Sequence, residues 1–325
     1  AEITPTNSNV ISAIHAQMSK SDESSAPTIE YQSHQWNILE KRIRCLIKNI
    51  TKKNIRQIAN RLFKKNIQRG RGLLTRALIK RQLRSPRRAR IYAALMSIIN
   101  SKFPNIGELM CKRVINLFRD SYMNDMADKC FSLLQMICHL INQNILTHQI
   151  AIQLLKLVLT NYTDESVELA VRLLKECGQK LLQDSRQQLD DIITALSNLS
   201  DEESLNARSQ TLIRDSLLLR QEEFQKRPSV KPGLNFVDKK DQYTHIFDIV
   251  SLCDVEGNLN SFHFDKDYES NESYYKESQK KILEQNNSNE DKSNSNSSND
   301  NEMDVSLTTT DTIHSSSEQS DDKEN

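Results

Sequence analysis

The sequence predicts an all-α protein, a solenoid of about five stacked helical hairpins flanked by disordered tails, and three observations predict it. Gly and Pro number only six each in 325 residues, too few for the tight turns of a sandwich or barrel, while Leu, Ile, Lys, Arg and Gln dominate. From Trp36 to Leu217 apolar residues recur at the steps of a helix face. The runs are punctuated by helix-cap signals in place of hairpin turns.

Residues 1–32 are rich in Ser, Thr, Asn and Ala with no sustained apolar period, and are expected to be a flexible leader. The scaffold is expected over 33–227. Its first helix carries Trp36, Leu39, Ile43 and Leu46, its second Ile55, Ile58 and Leu62, with Thr51 as the cap between them. A third bears Leu74, Ala77 and Leu78. Ser85 and Pro86 announce a fourth with Ile91, Ala94, Leu95 and Ile98, and Pro104 opens a fifth with Ile106, Leu109, Met110 and Leu117.

The sixth shows Ala127, Cys130, Phe131, Leu134, Ile137, Cys138 and Ile141; the seventh shows Ile150, Leu154, Leu155 and Val158. Thr163 and Asp164 are cap candidates for an eighth with Val167, Ala170, Val171 and Leu174, which Gly178 is expected to end. The ninth has Leu189, Ile192, Ile193 and Leu196. Ser200 and Glu203 form a capping-box pattern before a tenth that runs to about Gln225. Each pair of helices takes roughly 40 residues, the period of HEAT-type repeats.

Past Pro228 and Pro232 the periodicity fails. Residues 228–284 read as an irregular C-terminal extension lying on or near the scaffold, with a mixed segment over Tyr243–Tyr275. Residues 285–325 are an Asn-, Ser- and acid-rich tail that cannot bury enough apolar area to offset its ordering entropy.

Charge is distributed unevenly. Trp36–Arg90 holds 19 Lys or Arg against one acid, Glu40, whereas the final 41 residues hold ten acids against Lys292 and Lys323. Basic residues packed this densely raise a local potential that seeks an anionic partner, RNA phosphate above all. The RNA-contacting candidates are Lys52, Lys53, Arg69, Arg71, Arg84, Arg87 and Arg88. A merely solvated helix face is the plain alternative, and the same charges suit nuclear import. Interleaved aromatics of the kind that stack single-stranded bases are lacking.

The six cysteines, Cys45, Cys111, Cys130, Cys138, Cys177 and Cys253, form no CxxC pair and fit a reducing compartment. No apolar run reaches bilayer length and no signal peptide is legible, so a soluble, intracellular protein without membrane contact is expected; a monomer is expected as well. Sites for chemistry are not evident, and the chain reads as a non-enzyme without cofactor or metal. Gly70 and Gly72 lack the rest of a phosphate-loop fingerprint and read as an interhelical turn. Cys138, His139 and His148 have the wrong spacing for a metal site. His245 near Asp241 and Asp248 has no nucleophile beside it.

Several long strings carry a resemblance: "NIQRGRGLLTRALIK" from Asn66, "YAALMSIINSKFPNIGELMCKRVI" from Tyr92, "HLINQNI" from His139, "TDESVELAVRLLKECGQKL" from Thr163 and "DQYTHIF" from Asp241. In this order and spacing they resemble the Nucampholin family of splicing factors, whose domain is related to the middle domain of translation initiation factor four-G. The resemblance implies a nuclear, spliceosomal adaptor. It would bind a DEAD-box helicase of the initiation-factor-four-A type, hold it inactive and deliver it to spliced RNA for exon junction complex assembly.

The resemblance also implies a site. The family's helicase-binding motif, typically Gly-Leu-Ile-Asn-Lys, corresponds here to Cys45, Leu46, Ile47, Lys48 and Asn49, with the glycine replaced and the last pair inverted. The helical spacing of Leu46 and Ile47 suits core positions equally well. The family's second helical domain has no counterpart, and the sequence ends in what resembles the acidic linker before it. Two other readings stay open: a basic RNA-binding scaffold that has lost the helicase, and a related ribosome-assembly or translation adaptor.

Overall fold

The computed structural model of the chain describes residues 27–160, 162–200, 202–251 and 255–295. Among them ten helices precede the extension: α1 Ile29–Lys48, α2 Ile55–Phe63, α3 Arg71–Arg84, α4 Ala89–Lys102, α5 Pro104–Met123, α6 Ala127–Asn142, α7 Gln149–Thr160, α8 Asp164–Asp184, α9 Arg186–Asn198 and α10 Ala207–Gln221. They stack as a solenoid of two layers. In one, α3 lies between α1 and α5, and α7 lies against α9; in the other, α2, α4, α6, α8 and α10 follow one another. No described helix is long and apolar enough to cross a membrane.

One apolar core runs through the repeats, from Ile43 and Phe63 through Tyr92 and Phe118 to Leu140, Leu174 and Ile213. Position in the stack decides how each helix reads. α4 touches α2, α5 and α6, so Tyr92, Ala93, Leu95, Met96 and Ile99 are all fully buried, whereas the expected core residues Ile91 and Ile98 are only partly covered. A helix buried nearly all round has no single apolar stripe to detect.

Helix ends depart from the sequence reading where competing caps exist. α1 starts at Ile29, inside the expected leader, because the Thr28 hydroxyl accepts the Tyr31 N–H at 3.2 Å. The rest of the leader, 1–26, lies outside the described residues. Ser85 makes no capping bond; Pro86–Arg88 is a 3-10 turn and α4 begins after it. Thr163 caps α8 as expected, its backbone N–H donating to Ser166 Oγ at 2.8 Å. α10 is capped by Asn206, whose Oδ1 accepts the Ser209 N–H at 2.8 Å, so the expected box at Ser200 and Glu203 does not form.

Gly178 does not end α8, which continues to Asp184. A Cβ there would lie 2.3 Å from the Phe224 ring. The glycine makes room for Phe224, which sits just past α10 with φ of +55° and is fully buried. Burial of that ring offsets a backbone conformation that non-glycine residues seldom adopt.

The extension is tied to the scaffold along its length. Gln143 Nε2 donates to Leu234 O at 3.1 Å. His245 forms a one-residue bridge with Leu146, its N–H donating to Ile145 O and its carbonyl accepting from Thr147. Gly257–Asn260, a 3-10 turn, lies on α3. The Asp265 backbone exchanges two hydrogen bonds with the buried side chain of Gln32 on α1, at 2.8 and 3.0 Å.

An eleventh helix, α11 Tyr268–Ser295, replaces part of the expected irregular segment and enters the stretch expected to be a disordered tail. Tyr275 is buried on it, stacks on Phe103 and donates its hydroxyl to Phe63 O at 3.0 Å; Ile282 is buried two turns further on. Two core residues at this spacing in a polar sequence leave almost no amphipathic signal. The chain divides into two units, Ala1–Leu283 and Glu284–Asn325; of the second, the described residues are the helical turns to Ser295, and 296–325 lie outside the described residues.

Candidate functional site

At the end of α1 the helical period turns Trp36, Leu39, Ile43, Leu46 and Ile47 inward. Leu46 and Ile47, expected by resemblance to meet a helicase, are therefore core residues, Ile47 with no exposed surface at all. What the motif presents outward is Cys45, Lys48 and Asn49. Asn49 closes the helix with its N–H on Leu46 O, and its side chain reaches Cys45 Sγ at 3.7 Å. Asn54 holds the following turn, donating to Asn49 O and accepting the Thr51 N–H at 2.7 Å. Lys48 stands at the negative end of the helix dipole, which favours its charge. The result is a small polar ledge on a braced turn.

The basic candidates divide into two kinds. Lys52, Lys53, Arg84, Arg87 and Arg88 are exposed and make no ion pair with a described carboxylate. Arg69 and Arg71 are drawn inward. The Arg69 guanidinium lies over the rings of Tyr268, at 4.5 Å, and Trp36, at 5.9 Å. Arg71 pairs with Glu256 at 3.6 Å. Both partners Tyr268 and Glu256 come from the extension, distant in sequence, so composition alone overstates the free charge. Around Lys65 the crowding is real: partial burial, with Arg42 and Lys64 nearby, lowers its pKa from the ordinary lysine value.

Two buried polar clusters were not legible. In the first, Arg90 from α4 and His139 from α6 converge on Glu176 of α8, at 2.9 and 3.3 Å. Burial by itself would raise the Glu176 carboxyl, but the hydrogen bond from His139 and the Arg90 charge outweigh it and hold the group down to about 2. Burial likewise keeps the His139 ring below its ordinary pKa, so at neutral pH Arg90 is the cation and His139 serves as a neutral donor. In the second, Arg113 of α5 spends its whole guanidinium on the carbonyls of Gly72, Val255 and Glu256, Thr75 Oγ1 and Asn260 Oδ1, all within 3.0 Å. Gly72 is the partner of that latch: a Cβ on it would meet Leu259 O at 2.1 Å. Close approach of the extension, not a turn, requires this glycine.

Of the residues considered for chemistry, Cys138, His139 and His245 are buried and His148 is half-buried. Cys138 is buried against Cys177, whose hydrogen bond together with burial pushes its thiol up, the opposite of what a thiolate ligand needs. His148 lies instead beside Asp184, at 3.5 Å. His245 Nε2 meets Asn100 Oδ1 at 2.8 Å in place of Asp241 or Asp248, and Asn100 in turn donates to Tyr243 O. The arrangement fastens the extension to α4.

Residues 40–223 match the MIF4G domain family model. The chain is 36% identical over 258 residues to the pre-mRNA-splicing factor CWC22 homolog of Homo sapiens, covering 79% of this chain and 28% of that protein. Against the homolog of Drosophila melanogaster it is 38% identical over 262 residues, 81% and 20% respectively. Against that of Danio rerio it is 34% identical over 286 residues, 88% and 29%. The chain thus spans less than a third of the length of these three curated relatives.

Proposed function

The chain belongs to the MIF4G domain family, and from that footing we propose that it is a nuclear adaptor in pre-mRNA splicing. It binds other spliceosomal proteins and a DEAD-box helicase of the initiation-factor-four-A type, holds that helicase inactive and carries it to spliced RNA for exon junction complex assembly. The observation that carries the reading is the ledge of Cys45, Lys48 and Asn49. It is the exposed remainder of the family's helicase-binding motif, displayed on a turn braced by Asn54. Identity to splicing factors over most of this chain supports the wider role. Inhibition needs only that the scaffold bind one arrangement of the helicase lobes more tightly than another.

Capture of a purified initiation-factor-four-A-type helicase by the wild-type chain tests this, beside a Lys48→Leu, Asn49→Glu double substitution. Both positions are exposed, so the fold is retained. Wild type is expected to capture the helicase and the double variant to lose at least about tenfold, as for a central interface contact. Equal capture by both overturns the site, and no capture by wild type overturns the function.

A second reading, direct RNA binding, is favoured by Lys52, Lys53, Arg84, Arg87 and Arg88, which are exposed and pair with no described carboxylate. It requires an affinity for single-stranded RNA that falls steeply with added salt and weakens when Arg87 and Arg88 are changed to Glu. A flat salt response excludes it.

A further inference from the structure

A groove of about 790 Å³ runs between α3 and α5, closed along one side by Val255, Gly257 and Asn260 of the extension. Its floor is aliphatic. Ile79 and Leu83 line it from α3, and Leu117 and Met123 from α5. Met123 is 77% exposed, the largest exposure of any large apolar side chain on the described helices. An unbranched, polarizable side chain left in water at the mouth of an aliphatic groove is the kind that adapts to a partner's surface.

The rim is cationic. Lys80, Arg119 and Lys129 make no ion pair with a described carboxylate, Arg119 giving its Nη1 to the Ser251 carbonyl. Arg76 is the contrasting case, already paired with Glu40 at 2.8 Å. Asp120 is the only carboxylate among the described lining residues. An apolar floor under a rim of unmatched cations is complementary to an apolar stripe flanked by carboxylates. RNA is the poorer match, because no aromatic side chain is among the described lining residues for bases to stack on.

We propose that the α3–α5 groove is a second docking site, which takes an acidic amphipathic helix of a partner protein. Apolar side chains of that helix enter between Leu83 and Met123, and its Glu or Asp residues lie against Lys80, Arg119 and Lys129, a helix-in-groove mode. The site stands on other elements than the α1 ledge and is independent of it.

The test uses the full chain and a labelled amphipathic peptide of about four helical turns, Leu at i, i+3, i+4 and i+7 and Glu elsewhere, with a scrambled peptide of the same composition. Fluorescence anisotropy is expected to show saturable binding of the first peptide. Binding should weaken at least about tenfold on scrambling, in Met123→Glu and in Lys80→Glu with Lys129→Glu, and stay unchanged in the Lys48→Leu, Asn49→Glu variant. Urea unfolding checks that the variants, all at solvent-accessible positions, are folded. No saturable binding, equal binding of the scrambled peptide, or full affinity in Met123→Glu overturns the proposal. Displacement of the peptide by an oligouridine RNA reassigns the groove to nucleic acid and overturns it as well.

Discussion

Replacing Gly72 by Ala sets two effects of opposite sign against each other. Gly72 stands in the first turn of α3, and alanine in a helix is favoured over glycine by about 1 kcal/mol. The added Cβ would lie 2.1 Å from Leu259 O and 2.5 Å from its carbonyl carbon, where ordinary contact begins at 3.4 Å. Both atoms are backbone, so no rotamer change relieves the clash and the 257–260 turn must move away. The bonds from Arg113 to Val255 O, Glu256 O and Asn260 Oδ1 are each 3.0 Å now. A shift of that size takes them beyond hydrogen-bonding range, since little remains past about 3.5 Å.

Each bond to a charged donor contributes about 1.5–3 kcal/mol net and the three are not additive, so a loss of about 2–3 kcal/mol in docking of the turn outweighs the helical gain. That corresponds to amide exchange over 255–260 accelerated roughly 30- to 150-fold. The turn is released before the solenoid unfolds, so the unfolding free energy of the scaffold read in urea is expected to change by no more than about 1 kcal/mol, in either direction. Hydrogen exchange read by mass spectrometry separates the two effects. Unchanged exchange over 255–260 with a more stable protein would falsify the contact between the extension and α3.

Two further outcomes follow from the caps and the buried cluster. Asn206→Ala is expected to cost about 1 kcal/mol in urea unfolding and Ser200→Ala less than about 0.5 kcal/mol, because Asn206 holds the first turn of α10; the reverse order would restore the box at Ser200 and Glu203. Glu176 is held down to about 2 from its usual 4.5, so the unfolded chain binds more protons than the folded one between those values. Its stabilisation is full above pH 4.5 and is lost as pH falls toward 2; the advantage of wild type over Glu176→Gln should shrink in that direction, and an advantage independent of pH from 6 to 3 refutes the pairing.

What was legible in the sequence is what is local. Ten helices and the order of their apolar faces follow from residues three and four apart, and Thr163 with Ser166 forms its box within one turn. What was not legible depends on residues far apart in the chain. Gly178 reads as a helix end until Phe224 is placed against it. Gly72 reads as a turn until Leu259 is, and Arg69 reads as a free cation until Tyr268 covers it. The α1 motif shows the same limit within a single helix. Leu46 and Ile47 match the family's pattern, yet their burial leaves Lys48 and Asn49 as the part a partner could touch.

The extension also explains why so basic a segment can fold onto itself. Of the 19 basic residues between Trp36 and Arg90, Arg71 is matched by Glu256, Arg69 is covered by Tyr268, and Arg76 and Arg90 are paired with Glu40 and Glu176. Matching is concentrated at α3 and the start of α4, where helices of both layers pack and repulsion between unscreened cations would be strongest. The cations left exposed lie at turns, Lys48, Lys52 and Lys53 around α1–α2 and Arg84, Arg87 and Arg88 around α3–α4, and on outward helix faces, among them Lys41, Arg42 and Arg44 on α1 and Lys80 on α3. There water and salt screen them, and their charge costs the fold little. Charge near the packed interior is thus matched by the extension and by neighbouring helices, while charge at the turns and on the outward helix faces stays available to a partner.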